Sequence, residues 1–229
     1  MTFRITMVAG ALLLAATGGC SGSPRATAPV EPVRTGPVHA QGQAAAILRA
    51  RADSARLPYT AADIRFMTHM IPHHAQALEM AKLVPSHGAS ATVRTLAGRI
   101  LSGQQDEIAT MQQWLRDRQQ PVPDAAAGGL HAGHGAGQEH TMMPGMLTHE
   151  QMTRLDAARG WDFDRLFLTF MIQHHRGAVG MVDELFSTHG AAQDETIFKF
   201  ASDVQVDQRT EIARMERMLA DVLAAPDSP

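Results

Sequence analysis

Apolar positions recur at helical spacing along most of this chain, and no stretch alternates as a half-buried strand would. A short helix is predicted from Ala44 to about Arg56, ended by Leu57-Pro58. Thr60, followed three positions later by Asp63, forms a capping-box start for a helix to about Val84, which Pro85, Ser86 and Gly88 stop. A longer helix follows from about Ala91 to Gln119. From Gln120 to Leu147 the periodicity is lost, and "QPVPDAAAGGLHAGHGAGQEHTMMPGML" reads as a Gly- and Pro-punctuated linker. Thr148 with Gln151 then caps a second short helix to about Ala158. Helices from about Phe163 to Ser187 and from about Asp194 to Ala224 complete the pattern, with a turn at Thr188 to Gly190 between them. β-branched residues are sparse, so the fold class is all-α.

The pattern repeats. "DIRFMTHMIPHHAQALEMAKLV" (63–84) returns as "DRLFLTFMIQHHRGAVGMVDEL" (164–185). Asp63, Phe66, Met70, Ile71, His73, His74, Ala77 and Met80 fall on Asp164, Phe167, Met171, Ile172, His174, His175, Ala178 and Met181 at one constant offset. The next helix repeats too, with Gln104, Glu107, Ile108, Met111 and Leu115 matched by Gln208, Glu211, Ile212, Met215 and Leu219. Residues 44–119 and 148–224 are therefore two copies of a short helix, a His-pair helix and a long helix, joined by the linker 120–147. Each hairpin has an apolar face it cannot bury alone, so the two should pair about a pseudo-two-fold axis into a four-helix bundle.

Residues 1–19 resemble an export signal: Arg4, a short apolar run from Ile5 to Ala16, then small residues before Cys20. Cys20-Ser21-Gly22 resembles a lipoprotein cleavage site, with Cys20 as the lipidated residue. Thr17 departs from the usual leucine-like residue, which leaves ordinary secretion and an uncleaved anchor beside lipidation. Residues 20–43, rich in Pro, Gly, Ser and Thr, form a tether. On this reading the protein works in the periplasm or on the outer envelope face, and any membrane attachment is through the lipid alone. A net charge of −3 with no basic patch argues against nucleic acid. The composition departs from average in its 14 Met and 12 His, against one Cys that lies beside the signal. That excludes disulfides and cysteine-ligated metal from the folded part and leaves imidazole and thioether as its soft ligands.

At 100° per residue, Phe66, Met67, Met70, His73, His74, Ala77, Met80 and Asp63 share about 140° of helix surface. Asp164, Phe167, Met171, His174, His175 and Met181 repeat that face. Buried imidazoles need partners, and Glu107, Glu211 or a neighbouring Asp could supply them with Met filling the core. The alternative is a metal site. Its candidate ligands are Met70, His73, His74, Met80, Met171, His174, His175 and Met181, with Asp63, Glu107, Met111, Asp164, Glu211 and Met215 as supporting or additional groups. His131, His134, His140, Met142, Met143, Met146 and His149 make the linker a candidate for metal capture. Pro72 removes one hydrogen bond beside the His pair and should kink its helix.

The motif Asp-x-x-Phe, Met-Ile-x-His-His, Ala and Met, followed by Gln-x-x-Glu-Ile-x-x-Met-x-x-Trp-Leu, resembles domain of unknown function 305. The likeness spans roughly residues 60–119 and 160–222, with Met218 standing where Trp114 does. The resemblance implies an exported, ferritin-like bundle in a family with copper-binding members, and it brings no general catalytic activity. The expectation is a Cu(I) buffer, chaperone or tolerance factor of the cell envelope, exchanging metal with other envelope copper-handling proteins. Zinc and iron fit less well, because they leave the methionines unexplained. A ferritin-like redox metalloenzyme and a metal-free scaffold are the alternative readings. The motif helices lack the Glu-x-x-His of di-iron sites. No Walker loop or GxSxG elbow is present.

Overall fold

The computed structural model describes residues 42–49, 59–124 and 143–225, and every regular element among them is helical. Residues 42–49 form α1, an exposed helix where the first short helix was predicted. Then come α2 (Ala61–Leu83), a 3₁₀ turn (Val84–Ser86), α3 (Ala91–Asp117), α4 (His149–Ala157), α5 (Gly160–Ser187) and α6 (Glu195–Ala224). Hairpins α2–α3 and α5–α6 dock through α2 against α5, giving the all-α, ferritin-like bundle, while α3 and α6 scarcely meet. Among the described residues no helix is long and apolar enough to cross a membrane. The signal segment, Cys20 and nearly all of the tether lie outside the described residues, as do His131, His134, His140 and Met142.

Helix starts are set by side-chain caps. Thr60 Oγ1 accepts from the Asp63 amide, and Asp63 Oδ2 accepts from the Thr60 amide at 2.7 Å, completing the expected capping box. Thr148 and Gln151 cap α4 in the same way. Ser90 caps α3, and Asp194 caps α6 through the amides of Thr196 and Ile197. Asp194 also pairs with Arg118 at 2.5 Å, inside the core. The Arg118 guanidinium lies 4.1 Å from the Trp114 ring centre, so one buried cation ties the end of α3 to the start of α6.

Two boundaries differ from the sequence expectation. Helix α3 ends at Asp117 because Gln119 turns into the left-handed region (φ 55°) and the Gln120 amide closes back on the Leu115 carbonyl. Helix α5 begins at Gly160, three residues early, where the Gly160 amide donates to His87 O at 2.8 Å. Pro72 lies within α2, which runs unbroken past it.

Asp63 and Asp164 do the same work in the two repeats. Asp63 Oδ1 accepts from the Ala192 amide at 2.7 Å, and Asp164 accepts from the Ser90 amide at 3.1 Å, so each His-pair helix grips the turn of the opposite hairpin. Asp63→Ala should cost about 2–4 kcal/mol, from the lost cap and the stranded Ala192 amide. An unchanged midpoint in urea unfolding would contradict this role.

Candidate metal centre

The two His pairs meet where α2 crosses α5. All four histidines are fully buried. The rings of His73 and His174 lie 3.9 Å apart between centres, tilted by 38°, and His74 and His175 lie outboard at 6.3 and 6.2 Å from their neighbours. Each Nε2 is engaged. His74 donates to Glu107 Oε2 and His175 to Glu211 Oε2, both at 2.7 Å. His174 donates to the His73 carbonyl at 2.8 Å, and His73 to the Pro144 carbonyl at 2.9 Å. A carbonyl or carboxylate oxygen can only accept here, so each ring carries its proton on Nε2.

None of the four Nδ1 atoms has a hydrogen-bond partner, and on a neutral ring protonated at Nε2 that nitrogen is a bare lone pair. Burial holds His73 well below its ordinary value, at about 3, helped by His74 and His175 and opposed by its bond to Pro144. His174 is likewise lowered, first by burial and then by His73. Neutral imidazole with one nitrogen fixed by an oxygen and the other free is the form in which histidine binds a metal.

The thioethers are sorted by end of the bundle rather than by repeat. Met70, Met111 and Met181 lie in one apolar cluster, and Met80, Met171 and Met215 in the other. Ten residues of helix separate Met70 from Met80 by about 15 Å, so those two cannot share an ion, and Met171 and Met181 are separated in the same way. The antiparallel crossing of α2 and α5 builds each pole from both copies. Among the described residues no three His, Cys, Asp or Glu side chains converge on one point. Asp63 and Asp164 share the angular face of the histidines but are spent on backbone amides at the helix starts.

The structure adds residues that helical periodicity did not single out. Gln76 grips the end of the linker, its amide donating to Leu147 O at 3.0 Å and its carbonyl accepting from Leu147 N at 2.7 Å. The segment from Met143 to Thr148 thereby lies across α5 at Gly177 and presents Pro144 to His73. A cavity of about 100 Å³ opens beside this contact, lined by His69, Met143, Pro144 and Met181 among others. Met143 packs on the core, Met146 is half-buried, and exposed His149 begins α4.

A family model described as domain of unknown function (DUF305) matches residues 63–219. A DUF305 fragment from Deinococcus radiodurans superposes with a TM-score of 0.59 at 30% identity, covering 72% of this chain and 99% of that one. A DUF305 protein from Streptomyces coelicolor, described as secreted, gives 0.60 at 27% identity over 73% and 98%. CopM in its Cu(II)-bound form gives 0.54 at 29% over 69% and 96%, and in its Cu(I)-bound form 0.52 at 25% over 72% and 98%. No curated protein matches the chain.

Proposed function

The chain belongs to the DUF305 family, and from that premise we propose that it is an exported copper-binding protein of the cell envelope, buffering or passing on Cu(I). The observation that carries this reading is the set of four buried, unpartnered Nδ1 atoms, each on a ring whose other nitrogen is fixed. A buried polar atom left unpaired costs about 1–3 kcal/mol, and four in one core suit a ligand better than a packing role. Thioether poles on either side supply the sulfur that Cu(I) favours. CopM, similar along most of its length, is known in Cu(I)- and Cu(II)-bound forms. Export and lipidation at Cys20 belong to the same proposal, as does metal capture by the Met- and His-bearing linker.

In this reading His73, His74, His174 and His175 bind metal with Met70 and Met181 at one pole and Met80 and Met171 at the other, while Glu107 and Glu211 aim the outer rings. Cu(I) titration against a competing chelator, without oxygen, tests it: replacing the four histidines by Ala should abolish competition, and unchanged affinity would refute the proposal. Glu107→Ala, which frees His74 to rotate, should weaken binding about 10- to 100-fold. Glu211→Ala should match it, because the two contacts are equal in length.

A further inference from the structure

Each repeat opens with a short helix, and in the second repeat that helix has a seat. Helix α4 packs on α5 and α2 with Met152 and Leu155 buried. They share an apolar cluster with Phe163, Phe167, Phe170, Met80 and Val84. Polar contacts pin its two ends: Gln151 donates to Gln173 Oε1 at 3.1 Å, and His87 donates to Asp156 O at 2.9 Å. At the constant offset of the repeat, the five apolar residues correspond to Ala62, Phe66, His69, Met181 and Leu185. All five line the cavity of about 100 Å³ beside Met143 and Pro144. The first repeat thus keeps the floor of a helix seat, and among the described residues no helix fills it. Ala62 and His69 stand where Phe163 and Phe170 occupy the other copy, which leaves this one open.

Helix α1 is the part left without a surface. Ala44, Ile47 and Leu48 form an apolar stripe at i, i+3 and i+4. Even so, Ile47 is 49% and Leu48 66% exposed. A helix this short is marginal when it stands alone in water, so it gains order only against another element. Its length suits the groove: residues 42–49 make about 12 Å of helix, against about 13 Å for α4. Its tether suits it too. Residues 50–58 reach about 30 Å when extended, and the groove opens at Ala62 in the first turn of α2.

We propose that this groove, between the start of α2 and the end of α5, is the seat of α1, filled as α4 fills its counterpart. Ile47 and Leu48 bury against Phe66, Met181 and Leu185, while the exposed side chains of Arg65, His69 and Glu184 form the polar rim. The seat needs no metal, so it and the copper reading can each fail without the other.

A spin label on the outward face of α1 tests this, placed at Ala46→Cys in the full chain carrying Cys20→Ser. Docking should broaden the amide signals of His69, Glu184 and Leu185 and spare those of Val93 and Val222 at the other pole. Ile47→Asp with Leu48→Asp, both at exposed positions, should abolish the broadening. Mixing the labelled chain with ¹⁵N-enriched chain that lacks the label separates the occupants: broadening there means that a second copy supplies α1, which overturns the seat within one chain. Groove signals untouched by the label, or broadening that survives the two aspartates, would overturn it as well.

Discussion

Below about pH 6.5 the metal-free protein should lose stability steadily, with His73 and His174 setting the slope. Unfolded, each imidazole takes up a proton near its ordinary value of 6.5; folded, His73 resists until about 3, held down by burial. Between those values the unfolded chain binds more protons, so stability falls as pH falls. Above 6.5 both states are neutral at this ring and its contribution is fully present. One such group is worth about 1.4 kcal/mol per pH unit, so His73 alone removes roughly 5 kcal/mol by the time it protonates in the fold. His174, lowered by the same cause, acts in the same direction. A large share of a typical 5–15 kcal/mol stability is at stake. Urea unfolding with a chelator present, at steps from pH 7 down to about 4.5, measures this directly. His73→Gln with His174→Gln should flatten the profile, because an amide does not titrate. A wild-type profile already flat across that range would mean the rings are not buried neutral.

Gly177→Ala should be the most damaging methyl group in the chain. A Cβ there would sit 1.9 Å from the Pro144 carbonyl oxygen, 2.5 Å from its carbon and 2.7 Å from Gly145 Cα. All three are backbone atoms with no rotamer to escape into. Gly145 is equally constrained, at φ +79° with the Gln173 carbonyl 2.6 Å from where its own Cβ would be. Alanine in a helix gains about 1 kcal/mol over glycine, but relieving this overlap means lifting Met143 to Thr148 off α5. That movement removes the Pro144 acceptor from His73, the Gln173 contact to Gly145 and the burial of Leu147. The net cost should be about 3 kcal/mol or more. Cu(I) affinity should fall as well, because His73 loses the bond that fixes its proton on Nε2. Wild-type stability in Gly177→Ala, with the His73 ring unchanged by NMR, would show that the segment does not clamp the centre.

The repeat made the architecture readable in advance. Thr60 with Asp63 and Thr148 with Gln151 placed two helix starts correctly, because a capping box is a local device visible in four residues. Matching Glu107 and Glu211 to the His pairs was equally legible, since both sit on the inner face of a long helix one hairpin away. Asp63 and Asp164 show where a helical wheel misleads: it reports angle and discards height. Eleven residues before His74, Asp63 lies within about 20° of its azimuth yet roughly 16 Å away, capping α2 and holding the far turn. The wheel also hides that Met70 and Met80, on one face of α2, lie in different clusters. Adjacency along one helix says nothing of an antiparallel partner, and it is the crossing at His73 and His174 that puts Met70 with Met181. Pro144 was hidden because a carbonyl acceptor carries no side-chain signature. The pair Gly145 and Gly177, one in the linker and one in a helix, was its faint trace.

The measurement that bears most directly on the centre is a long-range ¹H–¹⁵N spectrum of the histidine rings as Ag(I), a diamagnetic stand-in for Cu(I), is added. The account predicts Nε2–H on all four rings before addition, with His73 and His174 neutral, and Nδ1 resonances moving on binding while Nε2–H stays in place. Nδ1 signals unmoved at saturation, or metal taken at Nε2 with loss of the Glu107 and Glu211 bonds, would contradict it.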